Sequence, residues 1–154
     1  MNRHDFSALF EGRHTIGRLG LVVERGPAGV SANVRHVVWH SPSGMDFGYA
    51  GNGPADLALS TLCALISPPD LYDEDRMSTL PSETYERASA NDRLWSVRSP
   101  GGERISRLAW RLHRSFETTF VVTMRGEFGY VPLEIMDSWI DVQSRSMIER
   151  ACRS

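Results

Sequence analysis

The chain has 154 residues, 41% hydrophobic and 23% charged, with a formal net charge of −2. That length suits one domain able to bury a core, and that composition excludes wholesale disorder. The slightly acidic balance excludes a non-specific nucleic-acid binder, which needs a basic surplus.

Met1 to Phe10 read as a loosely anchored lead-in. A strand is expected at Leu19 to Arg25, and Gly26-Pro27-Ala28-Gly29 then supplies a turn. Val34 to His40, rich in Val and Trp, reads as a second strand. Ser41-Pro42-Ser43-Gly44 is an explicit turn, with proline presetting φ and glycine free to take the left-handed conformation. Met45 to Ala50 returns as a third strand, completing a hairpin. A helix follows, with Gly53 as N-cap, Pro54 at the first helical position and Asp56 near the positive end of the helix dipole. Leu57, Ala58, Leu59, Leu62, Cys63, Leu65 and Ile66 make it apolar on most sides, so it is expected to be buried, and Pro68-Pro69 end it.

Residues 67–102 read as an irregular or mobile insertion, acidic at Asp70, Asp73, Glu74 and Asp75, with a strand candidate at Leu94 to Arg98. Helical spacing resumes at Glu103, where Ile105, Leu108, Ala109, Leu112 and Phe116 form one apolar stripe. Phe120 to Met124 reads as a strand. A last helix starts near Leu133, with Met136, Trp139, Ile140 and Met147 on its apolar face. The expected architecture is a single α+β domain over 1–154: a small, mainly antiparallel sheet carrying about three helices on one face.

All 17 basic residues are arginine, which fits either arginine-rich codon usage or selection for forked contacts to carboxylate and phosphate. Two cysteines, Cys63 and Cys152, do not make a disulfide framework. The longest apolar stretch, Leu57 to Ile66, is too short to span a bilayer, and Asp5 and Glu11 interrupt any signal-peptide pattern, so a cytoplasmic location without a membrane partner is expected.

Three constellations bear on chemistry. The first is the glycine turn Gly48-Tyr49-Ala50-Gly51-Asn52-Gly53-Pro54. A strand running through glycines into a helix start can present backbone N–H groups to phosphate or carboxylate, with Asp46 and Tyr49 beside Gly51, Asn52 and Gly53 as candidate ligand contacts. The same glycines equally serve a tight reversal. The second is an arginine row, Arg104, Arg107, Arg111 and Arg114, at helical spacing on one face and a candidate partner-binding surface. Glu134, Asp137 and Asp141 make an acidic counterpart on the last helix. These rows can be solvated, can pair within a monomer or homodimer, or can meet an outside partner. Reversing Arg107 and Arg111 to Glu is expected to leave the fold intact. The third is the histidines. His36 and His40 would lie about 13 Å apart on one strand face, and no His-x-Glu, Cys-x-x-Cys or Glu-x-x-His spacing appears. No metal, no cofactor and no catalytic set is therefore expected.

Ser41-Pro42-Ser43-Gly44-Met45-Asp46-Phe47-Gly48-Tyr49-Ala50-Gly51-Asn52-Gly53-Pro54-Ala55-Asp56-Leu57-Ala58-Leu59 resembles the signature of a family of small bacterial, phage and plasmid proteins with no assigned activity. Their pattern reads Ser-Pro-Asp/Thr-Gly-Phe-Glu-Trp-Gly-Tyr-Gly-Gly-Ser-Gly-Pro-Ala-x-Leu-Ala-Leu. Leu112-His113-Arg114-Ser115-Phe116 and Ile135 to Ile140 resemble two later family segments. Met45, Asp46, Phe47 and Ala50 depart from the pattern. The resemblance implies a mobile-element accessory protein acting in the host cytoplasm. It would inhibit a host defence component, a protein or ribonucleoprotein complex, by stoichiometric binding in the anti-CRISPR manner. The alternative is a small anionic ligand or nucleotide held at the glycine turn, by a sponge or an enzyme.

Overall fold

The computed structural model describes residues 16–69 and 71–153; the lead-in at Met1 to Phe10 lies outside them. The architecture is α+β, with four helices and two three-stranded sheets among the described residues. In the first sheet, β1 (Gly20–Gly26) runs between β2 (Gly29–Ala32) and β6 (Phe128–Pro132), antiparallel to both. Leu21, Val22 and Val23 are fully buried, as suits β-branched and aliphatic residues in a central strand. Gly26 to Gly29 form the expected turn, and Gly29 takes φ +115°, a conformation open to glycine. In the second sheet, β3 (Tyr72–Asp73) is parallel to β4 (Trp95–Arg98), and β5 (Arg104–Ser106) is antiparallel to β4.

The helices are α1 (Asn52–Leu65), α2 (Ser82–Ser89), α3 (Arg107–Phe116) and α4 (Leu133–Arg153). Helix α1 is the axis on which the rest is assembled, for every residue from Gly53 to Leu62 is buried. On one flank Leu57, Ala58 and Leu62 pack with Leu21, Val23 and Val131 of the first sheet. Leu108, Leu112 and Phe116 of α3 and Met136 and Ile140 of α4 complete that core. On the other flank Leu59 packs with Val37, Val97 and Ile105 at the second sheet. The expected burial of α1 thus serves both cores, and the apolar stripes of α3 and α4 build the first. Among the described residues no helix is long and apolar enough to cross a membrane.

Five expectations need correction. The strands at Val34 to His40 and Met45 to Ala50 do not form; residues 33–51 contain no helix or strand. Successive N–H groups of a strand point to opposite sides. Here the consecutive N–H groups of Trp39, His40 and Ser41 all turn toward one carboxylate, that of Asp56. The turn between the two supposed strands does exist, with the Gly44 N–H donating to the Ser41 carbonyl at 3.3 Å and Gly44 at φ +139°. Helix α1 is capped by Gly51 rather than Gly53, so Pro54 is its third residue. The stretch read as an irregular insertion contains β3, α2, β4 and two 3-10 turns, and β4 matches the strand expected there. Glu103 does not open a helix. Residues 104–106 are β5, and α3 starts after Ser106, whose hydroxyl accepts from the Ala109 N–H. Finally, Phe120 to Met124 is no strand. The chain leaves α3 through a π-helical turn, Glu117–Val121, in which Phe120 packs on Phe116 and Trp139. The strand of that region is β6, an edge strand that tolerates Gly129 and Pro132.

Candidate functional site

Asp56 is the only carboxylate in α1, and none of its side chain reaches solvent. A buried carboxylate needs several donors, and loop 36–41 supplies them. Its two oxygens accept from the N–H groups of Trp39 (3.2 Å), His40 (2.8 Å) and Ser41 (3.0 Å), and the His36 Nε2 lies 2.9 Å away. One helical turn later the Ser60 hydroxyl accepts from the Val37 N–H at 2.8 Å. The dipole role expected for Asp56 is therefore replaced by a tertiary one: it hangs the loop on the central helix.

The loop carries its side chains to α3. His40 and His113 bring their Nε2 atoms to 3.0 Å, with ring centroids 5.2 Å apart and planes 21° from parallel, so the imidazoles meet tip to tip. Trp39 packs on Trp110, centroids 5.8 Å apart, and Trp110 adjoins His113. Trp110 and Val38 remain exposed at 37% and 40%. The His113 Nδ1 donates to the Trp110 carbonyl. Burial pushes the pKa of His40 below 6.5, helped by Arg114 and opposed by Asp56 and Glu117. His113 is lowered chiefly by burial, with His40 and Arg114 adding to it against the Trp110 carbonyl and Glu117. The histidines, expected to stay apart, therefore assemble.

The arginine row does not survive as one face. Arg104 belongs to β5, where its Nε donates to the Ser96 hydroxyl and its Nη2 to the Pro69 carbonyl. Arg107 is buried, with Nε 2.7 Å from Asp92 and its guanidinium over the Trp95 ring. Arg111, half exposed, lies 3.5 Å from the same Asp92. Arg114, also half exposed, pairs with the buried Glu117 at 3.2 Å. What reaches solvent beside Trp110 is thus Arg111 and Arg114. Glu134, Asp137 and Asp141 are exposed on α4, with Asp141 paired to Arg145.

At the glycine turn, Asp46, Tyr49 and Gly53 line a surface cavity of about 290 Å³ together with Arg25 and Ser41. Arg25 donates to the Asp46 carboxylate at 2.8 Å and to the Phe47 carbonyl at 3.0 Å, and its guanidinium lies over the Phe47 ring. The Tyr49 hydroxyl donates to Asp46 at 2.9 Å. Burial works to raise the pKa of Asp46, but the Phe47 N–H, the Tyr49 hydroxyl and Arg25 outweigh it and lower it below 3.8. The Gly51 N–H donates to the Glu117 carboxylate at 3.1 Å, so a carboxylate of the protein itself occupies the place reserved for an outside anion. Asn52 is exposed. Gly48, at φ +91°, is the glycine of this turn that needs the left-handed region. Cys63 is held as a thiol, its pKa pushed up to about 12 by burial. Among the described residues, no group of three or more His, Cys, Asp or Glu could hold a metal ion.

Trp39 and Trp110 are not among the candidates from sequence; His40 is weighed there only as a metal ligand beside His36, and His113 only as part of a family-like segment. One signal was available: Trp110 stands off the apolar stripe of α3, and a large aromatic there has no core to fill.

Residues 10–83 match a family described as a family of unknown function (DUF6166). The matched stretch contains the Ser41 to Leu59 signature together with β1, β2 and α1, while α3, with Trp110 and His113, lies beyond it. No curated protein and no solved structure matches the chain.

Proposed function

We propose that this protein acts by stoichiometric binding rather than catalysis, through a face made of Val38, Trp39, Trp110, Arg111 and Arg114. The observation that carries this reading is the Trp39–Trp110 pair, partly open to solvent although loop 36–41 is fixed from beneath by Asp56. Trp and Arg are enriched among the few residues that carry most of the binding energy of protein interfaces. Among the described residues, no Ser, Thr or Cys side chain hydrogen-bonds to the His40 or His113 ring nitrogens, which counts toward binding rather than nucleophilic catalysis. The setting we propose, a mobile-element accessory protein that inhibits a host defence protein or ribonucleoprotein, rests on the resemblance of the Ser41 to Leu59 signature.

The test is affinity capture from a bacterial host lysate with the tagged chain and its Trp110→Ala variant, both checked for equal thermal stability. A host component retained in equimolar amount by the parent and lost by the variant is expected. Equal capture by both, or none by the parent, overturns the reading.

A second reading, a small anionic ligand at the glycine turn, is favoured by the cavity beside Arg25. It is weakened by the pairing of Arg25 with Asp46 and of the Gly51 N–H with Glu117. A thermal-shift screen with mono-, di- and cyclic nucleotides tests it, since about 2.7 kcal/mol of stabilisation accompanies a hundredfold excess over Kd.

A further inference from the structure

With both rings neutral, the contact between His40 and His113 admits one proton arrangement. A carbonyl oxygen only accepts, so the His113 Nδ1 that meets the Trp110 carbonyl carries hydrogen. A neutral His113 then presents a bare Nε2. His40, whose Nε2 lies 3.0 Å away and tip to tip with it, supplies the hydrogen for the bond between them. A first added proton, taken at the His40 Nδ1, leaves that bond in place; a second, placed on the His113 Nε2, turns the donor–acceptor contact into two donors facing each other and sets two cations end to end.

The surroundings do little to absorb that charge. From α1, Asp56 faces the loop, but its oxygens already accept from three backbone N–H groups and meet His36. From the π-helical turn, Glu117 is engaged by the Gly51 N–H and Arg114. Arg114 of α3 adds positive charge, and His36 of the loop adds another group able to become positive.

We propose that His40 and His113 form a latch, closed while at least one of the two rings is neutral and opened when both are charged, which holds Trp39 against Trp110 and makes the docking face sensitive to acid. The latch rests on the reading of that face as the binding surface, and it gives that surface a regulation. The depressed pKa values of both histidines agree with the neutral state as the closed one. Histidine contacts of this kind are a recurrent way of coupling mildly acid pH to an interface.

The isolated protein suffices for the test. Tryptophan indole N–H and histidine ring signals are followed by NMR from about pH 7.5 to about pH 5, the range in which histidine charges. The indole signals of Trp39 and Trp110 should move together, with a midpoint below 6.5, in step with the His40 and His113 rings, while those of Trp95 and Trp139 stay in place. His113→Gln, whose amide oxygen accepts from His40 at either charge, should abolish the shift and keep the tryptophans together in acid. His40→Phe serves the same purpose should the buried glutamine prevent folding. Trp39 and Trp110 signals that stay still while the histidines titrate overturn the latch. So does a shift of all four tryptophans together, or one that persists in both variants. These outcomes involve no partner, whereas the docking face fails or stands on the neutral-pH capture of the Trp110→Ala variant.

Discussion

Segments 33–51 and 71–106 are joined to the same scaffold by opposite means. The first has no helix or strand, yet it is tied to buried groups at several points: the Asn33 side chain bonds the β1 backbone, the N–H groups of Val37, Trp39, His40 and Ser41 donate to Ser60 and Asp56, the Gly48 N–H donates to the Val121 carbonyl and the Gly51 N–H to Glu117. The second is made of regular elements, yet many of its ion pairs lie at the surface, such as Arg87 with Glu83 and Arg98 with Asp73 and Asp75. Its deepest polar link is Arg107 to Asp92, and the buried Trp95 indole N–H finds no hydrogen-bond partner among the described residues. Regularity of the backbone is therefore a poor guide to how firmly a segment is held. A hydrogen bond to a buried group resists exchange with water, whereas an exposed ion pair contributes about 0–1 kcal/mol.

The sharpest way to break this comparison is to remove Asp56. Asp56→Ala leaves three N–H groups without an acceptor, and each buried orphan donor costs about 1–3 kcal/mol. The lower part of that sum, a loss of about 3–5 kcal/mol, is expected in denaturant unfolding, because a loop at the surface can turn freed donors toward water. Asp56→Asn, which keeps one acceptor oxygen, should fall between the variant and the parent. In hydrogen exchange the His40 amide of the parent should be slower than amides of α2, and Asp56→Ala should reverse that order. Should α2 prove slower in the parent, the loop is not anchored as described.

The second segment is probed through its one deep pair. Arg107→Glu sets a carboxylate against Asp92, itself largely buried, and removes the guanidinium from Trp95. Breaking a buried pair in this way costs about 3 kcal/mol or more. Arg111→Glu, at a half-exposed position, should change stability by about 0–1 kcal/mol. The packing thus supports the expectation that both arginines can be reversed harmlessly for Arg111 alone. Equal melting temperatures for the two single variants would remove the distinction between them.

Which of these features the sequence could disclose follows from how local they are. The burial of α1, the apolar stripes of α3 and α4 and the turns at Gly26 to Gly29 and Ser41 to Gly44 depend on neighbouring residues, and periodicity reads them. The role of Asp56 depends on backbone groups fifteen to seventeen residues earlier, and no pattern of residue types marks a loop N–H as bound for a helix carboxylate. The His40–His113 contact spans 73 residues, so the spacing of His36 and His40 on an imagined strand said nothing about it. The arginine row failed for a local reason: its helical spacing assumed a helix through Arg104, where the chain is pairing as β5. Val34 to His40 misled because β-branched and aromatic content marks a half-buried extended segment, which this is, without requiring a partner strand.

Within the firmly held segment, the glycine turn gives a smaller contrast. A Cβ on Gly53 would stand 2.9 Å from the Cβ and 3.2 Å from the backbone nitrogen of Asp46, whereas one on Gly51 would meet the rim of the Tyr49 ring at 2.9 Å. Backbone cannot yield as a half-exposed ring can. Gly53→Val should cost about 1–3 kcal/mol, Gly51→Val less, and Asn52→Ala, at an exposed site, within about 0.5 kcal/mol of nothing. The reason is contact rather than dihedral strain, since Gly51 is extended at φ 173° and the positive φ belongs to Gly48. Thermal melts of the three variants check the order.

The smallest effect belongs to the outer rim of the same turn, where Asp46 joins Arg25 and Tyr49. Its folded pKa is lower than that of the unfolded chain, so the unfolded state binds the proton more readily. The stability contributed by this carboxylate is therefore complete above about pH 4 and is lost as the pH falls through 3.8 toward its folded value. The histidine pair acts in a different window. Its folded pKa values are also depressed, but the charged form is now the protonated one, so stability begins to fall as the pH drops below about 6.5. An acid titration of stability should then show two separate declines. Asp46→Asn should remove part of the lower one and leave the upper one intact, at a cost of about 0–1 kcal/mol at neutral pH because the Arg25 pair is partly solvated. His113→Gln should do the converse. If Asp46→Asn instead flattens the upper decline, the glycine turn and the histidine contact are one coupled unit, joined through Glu117, which receives the Gly51 N–H on one oxygen and Arg114 on the other.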